Sequence, residues 1–229
     1  MRRRTLIAGT ALSAFAHRPG WAAAKHPVVL ELFTSQGCSS CPPADALLGQ
    51  LARQPNILAL AWHVDYWNHL GWRDRFATRT ATERQQAYAA KLGGGVFTPA
   101  LVVNGSRVVI GSQHHEVQAA IAAAAMLPVA VKLEVTDGGL RVEIGAAPQE
   151  VRVQRIVYDP EHVTGVDAGE NDGTRLHEYC IVREVETLGS LDGVAGRFST
   201  KQAAAGQGQV ILVQSADLRV LGAANLPPS

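Results

Sequence analysis

The chain is poor in the residue types that mark several large functional classes. It has three cysteines in 229 residues, too few for a scaffold stapled by several disulfides. Charged residues make up only 18 %, and 21 basic against 20 acidic side chains leave a net charge of +1. No basic stripe is present, so nucleic acid is not expected as a partner. No apolar run reaches the roughly 20 residues a helix needs to span a bilayer. There is no GxGxxG or phosphate loop, no legible hydrolase triad and no internal repeat. What the chain does have is 47 % apolar residues, enough for a real core. Its length suits one large domain or two small ones, at about 100–200 residues each.

The N-terminus begins Met1-Arg2-Arg3-Arg4, continues through the apolar run Thr5 to Ala16, and reaches the small residues Ala22-Ala23-Ala24. These are the parts of a secretory signal peptide, expected over residues 1–24. Arg3-Arg4-Thr5-Leu6-Ile7 also resembles a twin-arginine signal. An uncleaved interfacial anchor is the alternative. After cleavage the protein is expected to be periplasmic or secreted, without stable membrane insertion, where disulfides persist.

Residues 27–127 read as one domain. Val28 to Phe33 and Ile57 to Asp65 are buried strands, and Cys41 to Arg53, Thr80 to Leu92 and His115 to Met126 are helices. Ala100 to Val103 and Arg107 to Ile110 form a hairpin through Asn104-Gly105. Crossovers through helices predict parallel strands with an antiparallel edge. Beyond Leu127-Pro128, residues 128–229 alternate apolar and polar residues between turns. That half is expected to be an all-β, sandwich-like domain.

Cys38-Ser39-Ser40-Cys41 falls where the first strand gives way to the first helix. There the amides at the helix N-terminus can stabilise a Cys38 thiolate, and Cys41, one turn on, can resolve a mixed disulfide. A permanently closed structural disulfide and half of a zinc site are the alternatives. Asp45, in the first turn, favours the helix but opposes a nearby thiolate. The second strand ends Trp62-His63-Val64-Asp65. His63 and Asp65 are expected on one face near the dithiol, as proton shuttles or as a structural pair. His63 could also join Cys38 and Cys41 as ligands for copper or zinc. The aromatic insert of Tyr66, Trp67, Trp72 and Phe76 offers Trp67 and Trp72 as a substrate groove, or else packs as a satellite core. Arg73, Asp74 and Arg75 read as its solvated rim. Cys180 reads as a buried, inert thiol. Gly169-Glu170-Asn171-Asp172-Gly173 reads as a turn or as a contact between the two halves.

The CxxC opening the first helix, with Thr98-Pro99 before the third strand, resembles the thioredoxin superfamily. The resemblance implies a cis Pro99 beside the dithiol and a Thr98 that lends backbone hydrogen bonds to substrate. It therefore implies an α/β, thioredoxin-like N-terminal domain. LELFTSQGCSSCPPAD, AWHVDYWNHLGWRDRFA, TERQQAYA and VFTPALVVNG look like the DUF1223 family of secreted thioredoxin-like proteins, as do Gly169-Glu170-Asn171 and IVREVETLGS. That family carries no assigned substrate. The chain departs from thioredoxin by having no tryptophan before the pair. Its strand acid, Glu31, also lies one residue further from Cys38. Unless a bulge intervenes, that offset turns Glu31 to the other face of the strand, as an acid paired elsewhere in the core or at an edge and not as proton acceptor for the dithiol. The expected function is thiol–disulfide exchange with a protein or small thiol or disulfide. It needs no cofactor beyond a redox-active Cys38–Cys41 disulfide. A copper-binding protein and a non-catalytic binding module are the alternatives.

Overall fold

The computed structural model describes residues 27–229; the signal-peptide expectation for residues 1–24 lies outside them. In chain order the elements are β1 (Val28–Thr34), α1 (Pro42–Leu51), β2 (Ile57–His63), α2 (Arg79–Leu92), β3 (Ala100–Val103), β4 (Arg107–Ile110) and α3 (His114–Ala122). They continue as β5 (Val131–Thr136), β6 (Gly139–Ile144), β7 (Glu150–Gly165), β8 (Arg175–Asp192), β9 (Gly196–Thr200), β10 (Gly208–Ser215) and β11 (Val220–Leu226).

The expected fold class is overturned. The described residues are mostly strand, with only three α-helices, and they do not form a separate thioredoxin-like α/β domain. Eight strands from both halves make one mixed sheet, in the order β11-β10-β7-β8-β2-β1-β3-β4. The reason lies in β2. All seven of its residues are buried, and a strand buried on both faces cannot be left as an open edge. β1 pairs with it in parallel on one side. On the other side β8 joins it, in parallel, with Ala61 opposite Ile181. The same strand passes under α1. A Cβ on Gly49 would lie 2.5 Å from the Tyr179 ring, so only glycine lets helix and strand meet there.

The expected direction of the third strand is also corrected: β3 runs antiparallel to β1, with Phe33 opposite Ala100. The link from Gly93 to Thr98 doubles back along α2, and Gln85, in the middle of that helix, donates to the Phe97 carbonyl at 2.6 Å. A 14-residue helix and a six-residue extended link cover similar distances, about 20 Å each. The chain therefore returns to the carboxyl end of β1 before β3 begins. β5, β6 and β9 form a second, three-stranded sheet. Its Leu140, Val142 and Ile144 pack on Val151, Val153, Ile211 and Val213 of the large sheet.

Strand alternation sorts the β1 side chains. Phe33 stacks with Trp62 and meets Tyr88 of α2 edge-on. Glu31 shares that face. It is fully buried, 2.5 Å from Arg84 Nε and 2.5 Å from the Tyr88 hydroxyl. Arg84 also lies over the Trp62 ring and bonds Gln214 of β10. Glu31 thus holds α2 to the sheet, on the face away from α1.

Removing one partner of a buried ion pair leaves the other charge uncompensated, at about 3–5 kcal/mol. Arg84→Met is therefore expected to lower the unfolding free energy by about that amount in urea titrations. The double variant Glu31→Gln/Arg84→Met should recover part of the loss. A loss below about 1 kcal/mol, as for exposed pairs, would contradict this role.

Candidate functional site

Cys38 and Cys41 form a disulfide with Cα atoms 5.4 Å apart. The loop from β1 is a run of tight turns. Ser35 carbonyl accepts from Cys38 N–H, and Cys38 carbonyl from Cys41 N–H. Cys41 carbonyl then accepts from Ala44 and Asp45 N–H and starts α1. Pro42 and Pro43 occupy first-turn positions where no helical donor is required. The Cys41 amide, one of those at the helix N-terminus, is engaged by the Cys38 carbonyl. The Cys38 sulfur instead lies 3.4 Å from Ser40 Oγ. Ser39 and Ser40 are exposed, but neither sulfur-bearing residue has any exposed surface.

The Thr98–Pro99 bond is cis. Thr98 carbonyl lies 3.5 Å from Ser40 Oγ, and Thr98 Oγ1 accepts from Trp67 Nε1 at 2.9 Å. Trp67 also backs the dithiol loop, since a Cβ on Gly37 would meet its own Cβ at 3.2 Å. The fold therefore gathers Cys38, Cys41, Thr98, Pro99 and Trp67. Trp72 serves the loop differently: its Nε1 donates to Gln36 Oε1 at 2.9 Å.

Beneath this layer lies a buried polar network. Thr34 and His63 are register partners on β1 and β2, so their side chains share the sheet face that α1 covers. Thr34 Oγ1 donates to Asp45 Oδ2 at 3.1 Å. His63 Nδ1 lies 2.7 Å from Asp74 Oδ2 and 3.9 Å from Glu178 Oε1. Gln36 ties the set together. Its N–H donates to Asp74, and its side-chain amide donates to Glu178 and Thr164. His63 Nε2 is buried with no partner among the described residues.

Burial pushes the Asp45 carboxyl up to about 7, against the opposing pull of His63 and the Thr34 hydroxyl. For His63 burial favours the neutral ring. The charges of Asp74, Glu178 and Asp45 and the Asp74 hydrogen bond outweigh it and hold the imidazole above its ordinary value. Asp74 is driven the other way. Burial opposes its charge, but His63 and the N–H groups of Gln36 and Phe76 keep it below the usual carboxylate range. Burial alone pushes the free Cys180 thiol up to about 12, far from reactive at neutral pH.

Two expectations are corrected here. Asp74 is not part of a solvated rim: Arg73 and Arg75 are exposed, and Asp74 between them is buried. Asp65 does not join His63. β2 ends at His63, so strand alternation stops there, and Asp65 bonds the Thr82 hydroxyl of α2 at 2.5 Å. Among the described residues no group of three or more His, Cys, Asp and Glu side chains is arranged to hold a metal. Cys38, Cys41 and His63 are thus not assembled as a ligand set.

Sequence reasoning missed Gln36, Thr164 and Glu178, and read Asp45 only as a first-turn helix residue whose charge opposes a nearby thiolate, not as a buried carboxyl. Glu178 alone carried a signal, lying between Leu176 and Cys180 at strand period on the buried side of β8. The turn at Gly169–Asn171 does touch the dithiol loop. Ser39 N–H and O–H reach Glu170, and Asn171 Nδ2 donates to the carbonyls of Gln36 and Cys38.

The family model described as "Protein of unknown function (DUF1223)" matches residues 29–214. An X-ray crystal structure of a protein from Agrobacterium tumefaciens, a structural-genomics target, is 29 % identical, with a TM-score of 0.77 over 90 % of this chain and 97 % of that one. HBP35 of Porphyromonas gingivalis is 14 % identical, with a TM-score of 0.56 over 89 % of this chain and 75 % of that one, and shares the fold alone. No curated protein matches the chain.

Because the native Asp45 holds its proton to about pH 7, the folded state binds more protons than the unfolded chain above about pH 4. This group therefore removes stability as pH rises from about 4 to about 7, by up to about 4 kcal/mol for roughly three units. Asp45→Asn is expected to flatten that fall in thermal unfolding measured across the range. A fall as steep as in the wild type would contradict the assignment.

Proposed function

The chain belongs to the DUF1223 family, and we propose that it is an exported thiol–disulfide oxidoreductase acting through Cys38 and Cys41. The observation that carries this is the placement of a cysteine pair at the start of α1 directly before a buried carboxyl, Asp45, that titrates near neutrality. A helix N-terminus favours a thiolate at Cys38, and a base near pH 7 is matched to taking the proton from Cys41.

In the reducing direction the Cys38 thiolate attacks one sulfur of a substrate disulfide. A Cys38–substrate disulfide forms and the other substrate sulfur leaves as a thiolate. Asp45 accepts the Cys41 proton, directly or through water. Cys41 then attacks the Cys38 sulfur, closes Cys38–Cys41 and releases the second substrate thiolate. Two electrons pass from the protein dithiol to the substrate disulfide. The oxidising direction is the same sequence reversed, and an external thiol couple resets the pair in either case. Thr98, beside cis-Pro99, offers its backbone to the substrate chain, and Trp67 forms the adjoining apolar wall. His63, held by Asp74, supplies the field that keeps Asp45 from rising further. The signal peptide expected from the sequence of residues 1–24 supports an extracytoplasmic site of action.

A second reading, a permanently closed structural disulfide, draws on the complete burial of both sulfurs. A redox titration of the purified protein, with thiol trapping and mass spectrometry, separates the two. Reversible two-electron conversion of Cys38 and Cys41 between about −120 and −300 mV, the range of cellular thiol couples, is expected. Cys180 should give no two-electron wave. A pair that stays closed well below about −300 mV would establish the structural reading instead.

A further inference from the structure

Thiol–disulfide exchange needs an incoming sulfur in contact with the sulfur it attacks, yet neither Cys38 nor Cys41 has exposed surface. Something over the pair has to move. Most of its surroundings cannot: β1 is buried throughout, α1 packs on β8, and Pro99 is buried. Beside the exposed Ser39 and Ser40 and the half-buried Trp67 and Thr98, the turn between β7 and β8 is the segment that the other half of the chain brings to the dithiol loop. Gly169, Glu170, Asp172 and Gly173 are all exposed there.

This turn grips the dithiol loop by side chains alone. Glu170 Oε2 accepts from Ser39 N–H at 3.2 Å and from Ser39 O–H at 2.7 Å. Asn171, itself buried, donates through Nδ2 to the Gln36 carbonyl at 2.9 Å and the Cys38 carbonyl at 3.1 Å. The backbone bonds of the turn all stay within residues 166–174, between β7 and β8. Gly173 N–H goes to Val166, Asp172 N–H to Gly169, and Thr174 N–H to Asn171. Gly169 and Gly173, with φ of 78° and 75°, flank it at positions that glycine occupies without strain. The turn can therefore lift about its base, where Val166 bonds Gly173 and Thr174, with those bonds kept.

We infer that the Gly169–Gly173 turn is a lid over the Cys38–Cys41 disulfide, with Asn171 as the side chain that sets how often it opens. The C-terminal half thus controls access to cysteines carried by the N-terminal half. This rests on the redox reading of the pair. Opening costs four side-chain hydrogen bonds, two exposed at Glu170 and two buried at Asn171, and is a local event distinct from global unfolding. The reduction rate is then the open fraction multiplied by the intrinsic rate of exchange. Asn171→Ala removes two bonds from the closed state and leaves the open state unchanged. One net bond shifts such an equilibrium roughly fivefold, so the rate should rise by about five- to thirtyfold.

The test is the rate at which dithiothreitol reduces the full protein, followed by thiol trapping, for wild type, Asn171→Ala, Glu170→Ala and Gln207→Ala. Gln207→Ala deletes a side-chain bond to Asp159 in a part of the protein the lid does not use. Thermal unfolding is measured alongside. Both lid variants should be reduced at least fivefold faster, with melting temperatures close to that of Gln207→Ala, which should itself be reduced at the wild-type rate. If Asn171→Ala does not fold, Glu170→Ala, whose side chain is exposed, reads the same quantity. Lid variants reduced at the wild-type rate, in a pair that still titrates reversibly, would overturn the lid and leave the redox reading standing. A pair that resists reduction in every variant would overturn both.

Discussion

A single carboxylate with no exposed surface, Asp74, holds the site in place. A buried charge is tolerated only when paired and hydrogen-bonded, and Asp74 meets that demand from three directions. It accepts from the Gln36 amide of the dithiol loop, lies 2.7 Å from His63 Nδ1 at the end of β2, and accepts from the Phe76 amide of its own aromatic insert. Those are the segments that must keep a fixed relation if the cysteines, the histidine and the tryptophans are to act together. The insert between β2 and α2 is thus anchored by its one buried acid, and its aromatics then close over the loop.

The same constraint explains why the two halves of the chain are not independent. Gln36 passes the network on to Glu178 and Thr164, on β8 and β7. These strands are 18 and 16 residues long, long enough to pair with each other beyond the sheet and still supply the uncovered side of β2. The outer part of the large sheet packs on the small three-stranded sheet, while the inner part backs the cysteines. One β-hairpin therefore serves as structural partner for β2, as source of one acid beside His63, Glu178, and as carrier of the turn that covers the disulfide.

Much of this was legible in the sequence because it depends on local chemistry. The strand-to-helix placement of Cys38 and Cys41, the hairpin at Asn104-Gly105 and the turn-rich alternation after Pro128 all follow from period and turn residues. The opposite-face position of Glu31 follows from counting along a strand. What stayed hidden depends on distant pairing. No local feature of Ile57 to His63 says that its second neighbour lies more than a hundred residues away, so the division into an α/β domain and a β domain failed. Asp45 and Asp74 look like surface acids in sequence, one at a helix start and one between two arginines. Their burial is decided by α1 lying on β8 and by the insert folding inward. Gln36, Thr164 and Glu178 are ordinary polar residues until the sheet brings them into one cluster.

If the buried network serves the cysteines, reducing the disulfide must change the protonation or hydrogen bonding of Asp45. Redox-difference infrared spectroscopy near neutral pH measures this directly. The account predicts a protonated-carboxyl carbonyl band that changes between the disulfide and dithiol forms and is absent from Asp45→Asn. A carboxyl region identical in the two redox states, with the pair fully converted, would contradict it, leaving Asp45 as a packing residue and the network as scaffold alone.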